Sequence, residues 1–187
     1  SKTTYSTQDI EYVSKVTVID NENIPVLFEE PYINDIDNYR AGVQFELSSI
    51  KMPNEIIKYY AQSWEDVSKT IYKEGEFGGE LNKSSYYKDD LEKIVIESGG
   101  DQTKTMIAIF EFVKQKIKWN GYKGVYTDKG VKEAYKTGSG NSAEINLILI
   151  AMLRETKINA NPLILSTRDH GIPIFPTLNG FNFVIAA

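Results

Sequence analysis

Two periods of hydrophobicity succeed one another along this chain, and each predicts a different kind of element. In the first fifty residues Val16 and Val18 alternate with Lys15 and Thr17, and Val43, Phe45 and Leu47 alternate with Gln44, Glu46 and Ser48. A period of two is the pattern of half-buried strands. Between them Ile24-Pro25-Val26-Leu27-Phe28 is a short apolar run whose proline places it at an edge or at the start of a strand.

From Pro53 the period becomes helical. Ser63 with Asp66 forms a capping pattern ahead of Trp64, Val67 and Ile71, and Leu91, Ile94 and Val95 repeat the spacing. Asp101 is placed to cap an amphipathic helix whose face carries Met106, Ile109, Phe110, Val113 and Ile117. Asp128 caps a further helix bearing Val131, Ala134 and Tyr135, which ends near Gly138. The stretch from Ser142 to Glu155 is apolar around nearly its whole circumference, which predicts a central buried helix. Ile158 to Thr167 and Phe181 to Ala186 read as strands joined by a loop containing Gly171, Pro173, Pro176 and Gly180. The expected fold is α+β, with helices first and then a sheet packed on the buried helix. Residues 1–52 read as the closing strands of a β domain, since so few strands need partners to be stable, and residues 53–187 as the α+β core.

Composition narrows the functional classes. Over 187 residues, 41% hydrophobic and 25% charged content is the ordinary globular mix. With 21 basic and 26 acidic residues the net charge is −5, and there is no dense basic cluster to follow a phosphate backbone, so nucleic acid is not an expected partner. The absence of cysteine excludes disulfides, thiolate catalysis and cysteine zinc sites. No apolar stretch has the length of a membrane span, and Ser1-Lys2-Thr3-Thr4 lacks a signal-peptide core. A chain that starts without Met and stops in a strand-like run reads as part of something longer.

The candidate chemistry lies at Gly138-Ser139-Gly140-Asn141-Ser142-Ala143, a loop running into the buried helix. A helix start offers unpaired N–H groups and the positive end of the macrodipole, a setting that activates a thiol or binds a carbonyl or anion. Here that setting receives Ser142. The run Gly140-Asn141-Ser142-Ala143-Glu144-Ile145-Asn146-Leu147, followed by Ala151-Met152-Leu153-Arg154-Glu155 and by Asn161-Pro162-Leu163-Ile164-Leu165-Ser166-Thr167-Arg168, resembles the core of bacterial transglutaminase-like proteins of the Bacteroidetes type. The resemblance implies a papain-like fold, a β-sandwich domain ahead of it, and export in a Gram-negative cell. It also implies a cysteine nucleophile where this chain has Ser142, and a histidine base where it has Phe183, within Phe181-Asn182-Phe183-Val184. The acid of the third position would fall beyond Ala187. With both positions replaced, the expectation is a catalytically inactive module acting in binding or as a structural spacer. A serine hydroxyl is far less acidic than a thiol and needs an adjacent base, and a phenyl ring accepts no proton.

One alternative keeps activity. His170 is the only histidine, follows Asp169, and could join Ser142 in an amide hydrolase or transamidase. Its loop, Arg168-Asp169-His170-Gly171, comes directly after the strand rather than on the strand expected to face the helix, and reads as a turn held by Asp and Gly. Gly138-Ser139-Gly140 lacks the lysine of a phosphate loop, and Asn34-Asp35-Ile36-Asp37-Asn38 lacks the glycine and glutamate of a calcium loop. Asn82-Lys83-Ser84 fits a glycosylation triplet. No metal or cofactor is expected. The aromatic residues Trp119, Tyr122, Tyr126 and Tyr135 precede the glycine loop, and the resemblance places this stretch beside a groove. Trp119, Tyr122, Tyr126, Asn141, Ser142 and Asn182 are therefore the candidates for binding a peptide, a glycan or another protein there.

Overall fold

A computed structural model describes residues 13–187 apart from Gln44 and Ala61. The tetrapeptide Ser1 to Thr4 and Gln44 of the second alternating run lie outside the described residues. The architecture is mixed α+β. Five α-helices, α1 (Trp64–Lys73), α2 (Lys88–Glu97), α3 (Gln102–Lys116), α4 (Val131–Thr137) and α5 (Ser142–Glu155), are described together with three short strand pairs. Strands β1 (Ser49–Ile50) and β2 (Lys58–Tyr59) pair antiparallel, and β3 (Lys118–Trp119) and β4 (Ser139–Gly140) pair parallel. The pair β5 (Pro162–Leu165) and β6 (Phe183–Ala186) is antiparallel, with Leu165 opposite Phe183 and Pro162 opposite Ala186.

The centre is α5. Its all-round apolar sequence buries Leu147, Ile148, Ile150 and Met152 completely, and β6, α3 and α4 pack around it. At its far end Arg154 leaves the helix to donate to the Ala160 carbonyl at 2.7 Å and to Asn161 Oδ1 at 2.9 Å, which fixes the turn into β5. A charged guanidinium makes stronger hydrogen bonds to carbonyl and amide oxygens than a neutral donor does.

Local sequence accounts for most helix boundaries. Ser63 Oγ accepts the Asp66 N–H and Asp101 Oδ1 accepts the Lys104 N–H, so α1 and α3 begin where their caps stand. The start of α4 departs from expectation. Its N-cap is Gly130 rather than Asp128, and carboxylates from elsewhere satisfy the N–H groups there: Glu80 accepts Val131 N–H at 3.0 Å. A tertiary partner has replaced the local cap.

The buried face of α3 is also narrower than the apolar pattern. Ile109, Val113 and Ile117 are buried together with Thr105, whereas Met106 and Phe110 are half-exposed. Thr105 reaches the core because its hydroxyl is already satisfied by the Asp101 carbonyl at 2.8 Å.

Close approach requires the glycine at position 78. After α1 the chain makes a π-helical turn, Gly75–Gly79, and a Cβ on Gly78 would lie far inside the contact distance of the Tyr72 carbonyl oxygen.

The described residues from Val13 to Ser48 carry no strand. The alternating side chains Val16, Val18, Val43 and Phe45 are exposed, and a 3-10 turn at Ile36–Tyr39 is the regular element there. Alternation predicts which face a strand would bury, but a strand forms only against a partner edge. Among the described residues none pairs with these runs. The segment is nonetheless anchored: Asn38 Oδ1 accepts Ile172 N–H at 2.7 Å, and Glu46 accepts Leu178 N–H at 3.1 Å and the Thr177 hydroxyl at 2.9 Å.

Candidate functional site at the start of α5

Asn141 stands one residue before α5 in extended conformation, and its side chain accepts the Glu144 N–H at 2.9 Å. Glu144 Oε2 returns the bond to the Asn141 N–H at 2.7 Å, which closes a capping box. The other oxygen of the same carboxylate, Oε1, accepts three successive amides, Asp128 at 3.1 Å, Lys129 at 2.7 Å and Gly130 at 3.1 Å. Glu144 is 2% exposed. Four backbone donors on one carboxylate replace the water it lost on burial.

The segment from Trp119 to Gly130 wraps this helix start. It begins at β3, whose pairing with β4 carries Trp119 alongside Gly140 and continues in a bond from Asn120 N–H to the Gly140 carbonyl at 3.0 Å. Tyr122 then turns its carbonyl to the helix, where it accepts Ser142 N–H at 3.2 Å and Trp119 Nε1–H at 2.8 Å. Gly124 follows directly over Ser142. Its N–H donates to Ser142 Oγ at 2.8 Å, and Ser142 Oγ donates to its carbonyl at 2.9 Å. Asn141 Nδ2 completes the contact by donating to the Tyr126 carbonyl at 3.0 Å.

Ser142 is therefore the first helical residue rather than the cap, and it is 2% exposed. Its hydroxyl is used once as donor and once as acceptor, both on the same glycine. The carbonyl that a helix start can bind is supplied by the chain itself, from Tyr122.

A second connection holds this segment from the other side. Lys123 Nζ bridges both oxygens of Asp169 at 2.8 and 2.6 Å, and Thr167 Oγ1 donates to Asp169 Oδ1 at 2.7 Å. The lysine hydrogen bond, ahead of that from Thr167, holds the Asp169 carboxyl down at about 2. Asn182 joins the same chain of bonds: it donates to Thr167 Oγ1 at 2.7 Å and accepts Thr167 N–H at 2.9 Å. Asn182 thus clasps the ends of β5 and β6.

The remaining candidates fall as follows. His170 Nε2 lies 3.2 Å from the Asn179 carbonyl, and the Ser142 hydroxyl is bonded to Gly124, so the hydrogen bond that a serine–histidine pair requires is not formed. Phe183 begins β6 and is half-buried opposite Leu165. Trp119 is 54% and Tyr122 72% exposed, while burial, followed by the carboxylates of Glu74 and Glu76, raises the Tyr126 phenol. Tyr135 belongs to the core. Its hydroxyl donates to Asp90 at 2.6 Å, its ring meets Tyr86 edge-on at 5.0 Å, and burial pushes its phenol up.

Two concavities lie away from the start of α5. A cleft of about 580 Å³ is lined by Leu91, Val95, Thr105 and Ile158, and another of about 700 Å³ by Asp35, Arg40, His170 and Phe175. Neither includes Ser142, Trp119 or Phe183 in its lining. Among the described residues no group of three metal-ligating side chains occurs, and no helix is long and apolar enough to cross a membrane.

Sequence reasoning singled out Asn141 and Ser142 and missed Glu144, Gly124 and Lys123. The spacing Asn141-x-x-Glu144 was a readable sign of a capping box. The three amides on Glu144 Oε1 come from fourteen to sixteen residues upstream, and no local pattern marks them.

No family model matches the sequence, and no curated protein matches it. Among solved structures the chain is similar to a putative protease from Parabacteroides distasonis, at 14% identity and a TM-score of 0.49. That match covers 76% of this chain, which spans only 28% of the length of the other.

Proposed function

We propose that this chain is a non-catalytic, papain-like transglutaminase module with a binding or structural role inside a larger exported protein. The Ser142 hydroxyl carries the reading. A serine nucleophile needs an open face for the substrate carbonyl and a base within hydrogen-bond reach. The hydroxyl here has neither, because the Gly124 backbone occupies its donor and its acceptor positions and it is buried. Phe183 at the head of β6 adds to this support, since it cannot take a proton. What the helix start does is hold the segment from Trp119 to Gly130 in place, which presents Trp119 and Tyr122 to solvent as the surface available to a peptide, a glycan or another protein.

The deciding experiment incubates the protein with a glutamine-containing peptide and an amine donor, and separately with a serine-directed acylating agent. No turnover and no adduct at Ser142 are expected. Turnover that disappears in Ser142→Ala overturns the proposal in favour of an active amide hydrolase or transamidase.

A further inference from the structure

We propose that Asn120-Gly121 is a site of spontaneous covalent modification, at which the Asn120 side-chain amide is converted through a cyclic imide to aspartyl and isoaspartyl forms. Both residues are exposed, in the turn between β3 and Tyr122. The Tyr122 N–H donates to Asn120 Oδ1 at 3.0 Å, so the side chain is folded back over the intervening peptide nitrogen, that of Gly121. The same bond draws electron density from the side-chain carbonyl, whose carbon is the atom to be attacked. Gly121 has a φ of +92° and open space where a Cβ would stand, so no side chain shields its nitrogen.

The chemistry balances without any oxidant or cofactor. The deprotonated Gly121 nitrogen forms a bond to Asn120 Cγ, the bond from Cγ to the side-chain nitrogen breaks, and that nitrogen leaves as ammonia. Water then opens the five-membered imide at either carbonyl, giving aspartate or isoaspartate. The isoaspartyl product carries one extra methylene in the main chain just ahead of Tyr122, whose carbonyl receives Ser142 N–H. Modification therefore loosens the segment laid over α5, and this holds whatever Ser142 does.

The chain contains its own control. Asn179-Gly180 has the same two residues, but Gly180 is packed so closely that a Cβ there would lie 2.6 Å from Pro173 Cβ and 2.7 Å from Thr177 Cγ2. Asn179 N–H is bonded to Thr177 Oγ1 at 3.1 Å and its carbonyl is engaged by His170. Swinging that side chain onto the Gly180 nitrogen requires the surrounding turn to open.

The test is incubation of the folded protein at mildly alkaline pH, then proteolysis and mass spectrometry of the peptides holding Asn120 and Asn179. Isoaspartyl methyltransferase labelling gives a second readout. The mass gain of an amide-to-acid change is expected at Asn120 ahead of Asn179, with the methyl label at the same peptide and its loss in Asn120→Gln. In guanidinium the two sites should convert at similar rates. Conversion at Asn179 first, equal rates in the folded protein, or an Asn120 preference that survives unfolding would each overturn the proposal.

Discussion

The region around α5 and the segment from Val13 to Tyr60 are both rich in apolar residues and have opposite fates. Along α5 nearly every apolar side chain is buried, and the polar side chains at its start are engaged: Glu144 takes four amides, Ser142 two bonds, and the Asn141 side chain accepts one and donates one. In the earlier segment Val16, Val18, Phe28 and Phe45 stand in solvent, and the attachment to the rest of the molecule runs through Asn38 and Glu46. A helix brings its own backbone partners and needs only a face to bury. A strand brings half of its partners, so the same hydrophobicity does nothing until an edge is supplied.

The largest effect is expected from dissolving the dense region. Glu144→Ala strips four backbone N–H groups of their acceptor, that of Asn141 buried and the other three part-buried, and should cost about 3–5 kcal/mol in sum, read as a drop in the urea midpoint. Ser142→Ala is milder, about 1–2 kcal/mol, because only the two bonds to Gly124 are lost and the helix cap remains. A loss below about 0.5 kcal/mol, inside the range of ordinary surface changes, would show that the Gly124 contact contributes little and would blur the contrast between the two regions.

Smaller still is the acid dependence of the link through Lys123. Asp169 has a folded-state value of about 2, below its ordinary carboxyl range. Its contribution is therefore complete above about pH 4, where the unfolded chain is also ionised, and is lost as pH falls through about 2. Melting temperature followed down that window should decline more steeply for the native chain than for Asp169→Asn. The pair is exposed, so the difference is modest. Least of all is expected from Phe45→Ser. The ring is 77% exposed, so stability should stay within about 0.5 kcal/mol. A larger loss in a longer form of the protein would identify this segment as half of a sheet completed there.

What was legible in the sequence follows the same division. Ser142–Glu155 was readable to both ends, because its cap, its apolar circumference and the following turn are all local. Strands β5 and β6 were placed but shortened, since pairing rather than composition sets where a strand stops. Asp128 stands where a local cap is expected, but Glu80 and Glu144 accept the N–H groups there, because carboxylates far along the chain reach that loop. The alternation of Val16 with Val18 predicts a strand, and the missing ingredient is a neighbour, which no single segment encodes. At the site, Asn141 and Ser142 stood out from their position, whereas Gly124, the group that defines what Ser142 can do, is a glycine in an unremarkable loop.

The arrangement at Glu144 also has a temporal meaning. The amides of Asp128, Lys129, Gly130 and Asn141 share a single acceptor side chain, so none of them can be released alone when that carboxylate swings out. In hydrogen exchange they should behave as one cooperative unit with a common opening free energy, although they belong to two stretches of chain. The loop before α4 and the residue that caps α5 thus share one lifetime.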